Sequence, residues 1–127
     1  PISANPSKPA APRCMQLEHA KYLYDIQYAS GLLADFVQGK TWQDYEANAM
    51  LRAAVERQFE IIGEALAQLA KRDTALVERI SEYRSIIAFR NVLIHGYAQV
   101  DDKLVWDVVQ TRLPALRQQV GDLLRAG

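Results

Sequence analysis

The chain holds a single cysteine, Cys14, so no intramolecular disulfide can form, which is compatible with a reducing cytoplasm. No apolar run approaches the roughly 20 residues that cross a bilayer. Charge of one sign is lacking as well: fifteen basic and fifteen acidic side chains cancel. There is thus no global field to draw in a nucleic acid or an anionic membrane, and any polyanion has to be held by local charge. The two histidines, His19 and His95, lie far apart, with no carboxylate at ligand spacing beside either, which disfavours a zinc or two-metal hydrolytic site. A Gly-rich phosphate loop and a Gly-x-Ser-x-Gly elbow are absent. So is any internal repeat, and nothing calls for a cofactor.

Glycine and proline are scarce too, and four of the five prolines fall within Pro1 to Cys14. That stretch has no periodicity and no apolar centre like that of a signal peptide. It is expected to be a disordered leader, a remnant or an over-extended start before Met15. The 127 residues, half of them apolar, suffice for one domain with a real core. Residues 15–127 are therefore read as a single all-helical domain, an up-and-down bundle of four main helices plus one or two short ones.

Apolar residues recur at three- and four-residue steps from Gln16 to Gln38 (Leu23, Ile26, Leu33, Val37), and Gly39-Lys40 closes that helix. Thr41-Trp42-Gln43-Asp44 has the outline of a capping box, leading into a long helix from about Ala47 to Lys71. Its stripe is Leu51, Val55, Phe59, Ile62, Leu66 and Leu69, widened by Met50, Ala54, Ile61 and Ala65. Gly63 in its interior costs about 1 kcal/mol against Ala, which marks a place where another helix packs closely. Glu56, Glu60 and Glu64 form an acidic row beside Arg52 and Arg57, either a solvated face with local ion pairs or a device that orients a site or contacts a partner. Asp73-Thr74 starts a short helix to about Ile80. Asp101 caps a last helix striped by Val105, Val109, Leu113, Leu116, Val120 and Leu123, in which Pro114 is expected to cause a kink or a split. Trp42, Trp106 and most tyrosines belong to core or interface.

The densest chemistry is Arg90-Asn91-Val92-Leu93-Ile94-His95-Gly96-Tyr97, at the end of an apolar helix that Gly96 is expected to close in a left-handed conformation. At about 100° per residue, His95 is rotated by roughly 140° from Arg90. A straight helix therefore keeps guanidinium and imidazole apart. Either unwinding at Gly96 swings His95 back, or a second copy completes the pair across a dimer, the arrangement favoured here.

One chemistry suits these groups. RNA is cleaved without metal when a base takes the proton of a 2′-hydroxyl, which attacks the adjacent phosphate while a cation stabilises the added negative charge. Histidine suits the first task, with an unperturbed pKa near 6.5, and arginine's planar fork suits the second. Asn91 would hold the imidazole or donate to the phosphate. The bland alternative is that Arg90, His95 and Tyr97 merely cap and pack a helix end. His19, without such company, is read as structural or solvent-exposed.

Arg90 to Tyr97 resembles the Arg-x4-His-x-Tyr signature of the HEPN superfamily. Glu56-Arg57-Gln58-Phe59-Glu60-Ile61-Ile62-Gly63-Glu64-Ala65 is similar to a segment of its HepT-type toxins, and Val100 to Trp106 with Leu113-Pro114-Ala115-Leu116 resembles their final helix. The likeness runs from about Met15 to Leu124. It implies a homodimeric helical bundle in which two motifs meet in one cleft. The implied activity is that of a metal-independent endoribonuclease, the toxin of a prokaryotic toxin–antitoxin pair. The catalytic residues would be Arg90, Asn91 and His95, with Glu60 and Glu64 as candidate supports. Its partner would be a nucleotidyltransferase antitoxin of the MNT type, which transfers AMP to Tyr97 and with which it could form a larger hetero-oligomer. A different class remains open, a non-catalytic helical module that binds a nucleotide or a partner.

Overall fold

In the computed structural model, residues 17–96 and 100–126 are described. The leader and Tyr97 therefore lie outside the described residues. Among those described there is no strand. The helices are α1 (Leu17–Val37), α2 (Trp42–Ala47), α3 (Ala49–Arg72), α4 (Thr74–Val77), α5 (Tyr83–Gly96) and α6 (Asp102–Ala126). The expected all-α class holds. No helix among the described residues is long and apolar enough to cross a membrane.

Helix α3 is the centre: α1 packs along one side of it and α5 along another, while α6 lies on α1 and α2 bridges α3 and α6. The stripes read from the sequence form this core. Leu23, Ile26 and Leu33 of α1 meet Val55, Phe59, Ile62, Leu66 and Leu69 of α3, and α6 adds Val105, Val109, Leu113, Leu116, Val120 and Leu123. Each such aliphatic side chain contributes about 1.5–3 kcal/mol on leaving water. Tyr45 carries α2 into this core, its ring 5.3 Å from that of Trp106 and 6.2 Å from that of Trp42.

The helix ends follow capping chemistry. Thr41 and Asp44 form a complete capping box, each accepting from the other's backbone N–H. The long helix does not start at Ala47, because Asn48 leaves the helical region and its side-chain oxygen accepts from the Leu51 N–H, separating α2 from α3. Asp73 closes α3 and caps α4 through the Leu76 N–H. Gly39 ends α1 with a φ of 74°.

Three expectations need correction. Met50 is exposed rather than part of the apolar face of α3. Pro114 does not split α6, which is continuous through it. Gly96 does not leave the helix: it is the last residue of α5, and a Cβ there would sit 3.5 Å from Val100 and 3.7 Å from Val92, ordinary contact distances. A feature without sequence signal starts α5, where Glu82 takes a φ of 60°, unusual for a residue with a Cβ. It is held there by an ion pair with Arg112 and by its carbonyl accepting from the Ile86 N–H. The neighbouring Ser81 N–H and hydroxyl bond Gln119 at 2.9 and 2.8 Å, tying the start of α5 to α6.

Candidate functional site

Arg90 lies in the seam between α5 and α3, and Gly63 is what lets it lie there. A Cβ on Gly63 would come within 2.3 Å of the Arg90 Cβ and 2.5 Å of its Cγ. The glycine thus admits the stem of the arginine against the α3 backbone, and Phe89 beside it stacks edge-on against Phe59 at 5.3 Å. The Arg90 side chain is only 17% exposed, and its Nε is buried with no hydrogen-bond partner among the described residues. One terminal nitrogen stands 3.5 Å from a Glu64 oxygen, and the other Glu64 oxygen accepts from Gln68 at 2.8 Å. A fixed cation with an unused donor, reached by one exposed carboxylate, is an arrangement that can exchange that carboxylate for another anion.

Asn91 and His95 lie elsewhere on α5. Both are exposed, and with Arg84, Ala88 and Val92 they make a face that no other helix among the described residues covers. Because α5 remains helical through Gly96, it does not unwind there to swing the imidazole back to Arg90, and the two share no hydrogen bond among the described residues. Of the sequence-predicted group, then, Arg90 and Glu64 are brought together, Asn91 and His95 share a face one turn apart, and Tyr97 lies outside the described residues.

The acidic row splits into three environments. Glu64 faces Arg90, and Glu60 pairs with Arg57 at 3.3 Å. Glu56 sits deeper, and burial, aided by the nearby carboxylates of Asp102 and Glu60, raises its carboxyl above the ordinary range against the relief given by Arg52. Arg52 is in turn 3.5 Å from Asp102 at the start of α6. This Arg52–Asp102–Glu56 group was not expected. The row itself was visible in the sequence, but nothing local signals that α6 returns its first carboxylate to α3. The Tyr45 hydroxyl is buried nearby without a partner among the described residues, and burial pushes its pKa well up.

His19 makes a structural link, its Nδ1 3.1 Å from an Asp73 oxygen, joining the start of α1 to the cap between α3 and α4. Among the described residues, no three His, Cys, Asp or Glu side chains gather as a metal site would.

Comparison with known proteins places a family on this geometry. The model of the Ribonuclease HepT-like family matches residues 26–123, which include Gly63, Glu64, Arg90 and His95. A relative from Thermococcus cleftensis named "Probable ribonuclease HepT" is 32% identical over 103 residues, 81% of this chain and 93% of its own. One from Caldanaerobacter subterraneus, named "Putative RNase", is 30% identical over 104 residues, 82% of this chain and 92% of its own. No solved structure matches the chain.

Proposed function

This chain belongs to the Ribonuclease HepT-like family, and from that premise we propose that it is an endoribonuclease that cleaves RNA without a metal ion. In this reading two copies, each an up-and-down helical bundle, pair through the exposed face of α5, so that His95 of one protomer and Arg90 of the other reach the same phosphate. His95 takes the 2′-hydroxyl proton, the freed oxygen bonds to phosphorus, and the 5′ oxygen leaves with a proton returned by an imidazolium, giving a cyclic phosphate. Arg90 binds the phosphate and offsets its growing charge, and Asn91 orients the imidazole or donates to a phosphate oxygen. Glu64 keeps the empty guanidinium oriented, with Glu60 behind it. The protein would act in the cytoplasm as the toxin of a prokaryotic toxin–antitoxin pair. An MNT-type nucleotidyltransferase would silence it by moving AMP from ATP onto the Tyr97 hydroxyl with loss of pyrophosphate. That bulky anion would occupy the phosphate subsite and repel RNA.

The observation that carries this reading is the half-buried Arg90, its stem against Gly63 and its Nε without a partner among the described residues. The test is cleavage of total RNA in EDTA by wild-type protein and by His95→Ala, using wild-type material whose intact mass shows Tyr97 unmodified. Cleavage by wild type alone is expected. Nucleotide binding without cleavage would replace the ribonuclease by a binding module. Equal cleavage by both proteins would remove His95 from the chemistry.

A further inference from the structure

Helix α1 has a second apolar stripe, facing away from the core. Leu17, Tyr24 and Tyr28 are 89%, 58% and 72% exposed, and Leu32 continues the line. Their spacings of seven, four and four residues place all of them on one side of the helix. That side is opposed to the one that buries Leu23, Ile26 and Leu33. A shallow trough of about 500 Å³ runs along it, lined by Tyr24, Gln27, Tyr28, Gly31, Leu32 and Asp35. At Gly31 a Cβ would meet nothing within 4 Å, leaving a notch in the surface. A row of tyrosine and leucine at helical spacing in water calls for a partner, since large exposed apolar patches on soluble proteins mark interaction sites.

We propose that this stripe pairs with the same stripe of a second copy, antiparallel, about a two-fold axis at Tyr28. The sequence of α1 is complementary to itself in that one register. An axis at Tyr28 sets residues equally distant from it face to face. Four residues to either side, Tyr24 meets the partner's Leu32. Three to either side, Asp25 meets the notch at the partner's Gly31, which leaves room for it. Seven to either side, about 10.5 Å along the helix, Lys21 meets the partner's Asp35. Lys21 and Asp35 are exposed, and neither enters an ion pair among the described residues. The two-fold makes every such contact twice, as an isologous interface must. Tyrosines suit its centre, because their rings bury apolar area while the hydroxyls stay at the wet rim. The stripe is on α1, apart from the exposed face of α5, so the two faces together would build an assembly larger than a dimer.

The experiment is the copy number of the full chain at micromolar concentration, by sedimentation velocity, for wild type and four variants. Tyr28→Arg sets two cations on the axis and is expected to halve the copy number. Lys21→Asp and Asp35→Lys, each alone, oppose like charges and are expected to do the same. The double variant Lys21→Asp with Asp35→Lys restores the attraction and is expected to restore the wild-type copy number, which a merely general loss of solubility or folding would not. Helical circular dichroism should match wild type throughout, because the buried side of α1 is untouched. A monomeric wild type, an unchanged copy number in Tyr28→Arg, or no rescue by the double variant overturns the pairing. If Tyr28→Arg keeps its copy number but loses RNA binding, the pairing is overturned in favour of RNA as the occupant. None of these outcomes depends on whether the protein cleaves RNA.

Discussion

Replacing Gly63 by alanine tests the seam on which Arg90 depends. The new Cβ would stand 2.3 Å from the Arg90 Cβ and 2.5 Å from its Cγ, where carbon atoms ordinarily keep about 3.5–4.0 Å. The nearer atom is fixed to the backbone of α5, so no rotamer change relieves the clash and the two helices have to part by about an ångström. Overpacking of this kind costs about 1–3 kcal/mol, while alanine returns up to about 1 kcal/mol of helix propensity. The expected net loss is about 1–2 kcal/mol, read as a lower urea midpoint and a Tm lowered by several degrees. Cleavage of RNA at a temperature where the variant is folded should fall further than stability does, since an ångström of misplacement can cost about a hundredfold in rate. Gly121→Ala is the control, because its nearest neighbour, 3.3 Å away, is the far end of the flexible, exposed Arg125 side chain. It should be neutral or more stable by up to about 1 kcal/mol. A Gly63→Ala protein as stable as wild type would refute the close approach of α3 and α5.

Tyr45→Phe removes a buried hydroxyl that has no partner among the described residues and should be neutral or stabilising by up to about 1 kcal/mol in urea; a loss beyond that would reveal a bonded hydroxyl. Asn48→Ala deletes the cap that receives the Leu51 N–H and should cost about 1 kcal/mol, seen in the same assay, unless the break between α2 and α3 has another cause. Glu56 tests the charge group beside them. Its folded carboxyl is raised by burial, so its stability contribution is full below the ordinary carboxylate range and is lost as pH rises through the raised value. Glu56→Gln, which keeps a neutral side chain, should therefore gain on wild type at neutral pH and lose that gain in acid. A gap that does not change with pH would show Glu56 to be unperturbed.

Much of the fold was legible because it rests on periodicity. The stripes of α1, α3 and α6 were written at three- and four-residue steps, and Gly63 was legible because a helix tolerates such a residue only for a packing reason. Part of what escaped is local, as at Asn48, and the rest has non-local causes. Asn48 reads as an ordinary polar residue until its side chain is seen to cap α3. Glu82 takes its unusual φ in the company of Arg112, thirty residues on. Pro114 leaves α6 unbroken because packing on both sides of it, through Leu113 and Leu116, holds the helix together where propensity would end it. Most tyrosines were assigned to core or interface, and Tyr24 and Tyr28 prove exposed. Periodicity could not say which, because α1 is apolar on two sides and only burial separates them.

The site shows the same division. The cluster Arg90 to His95 was visible as chemistry, but its arrangement turns on Gly96. A helix broken at that glycine could have closed the pair within one protomer; a helix continuous through it keeps His95 on the exposed face and Arg90 in the seam. Glu64 then takes, in the proposed mechanism, the orienting role that its place in the acidic row left open. Its carboxylate is more than half exposed and 3.5 Å from the guanidinium, so water screens the pair from the carboxylate side and Glu64 is held loosely. That is enough to bias the orientation of an empty Arg90 and too little to resist a phosphate that offers two oxygens to the fork. In a chain without net charge, an arginine whose counter-ion is this weakly held would let the proposed site capture an anion locally, with no field from the rest of the surface.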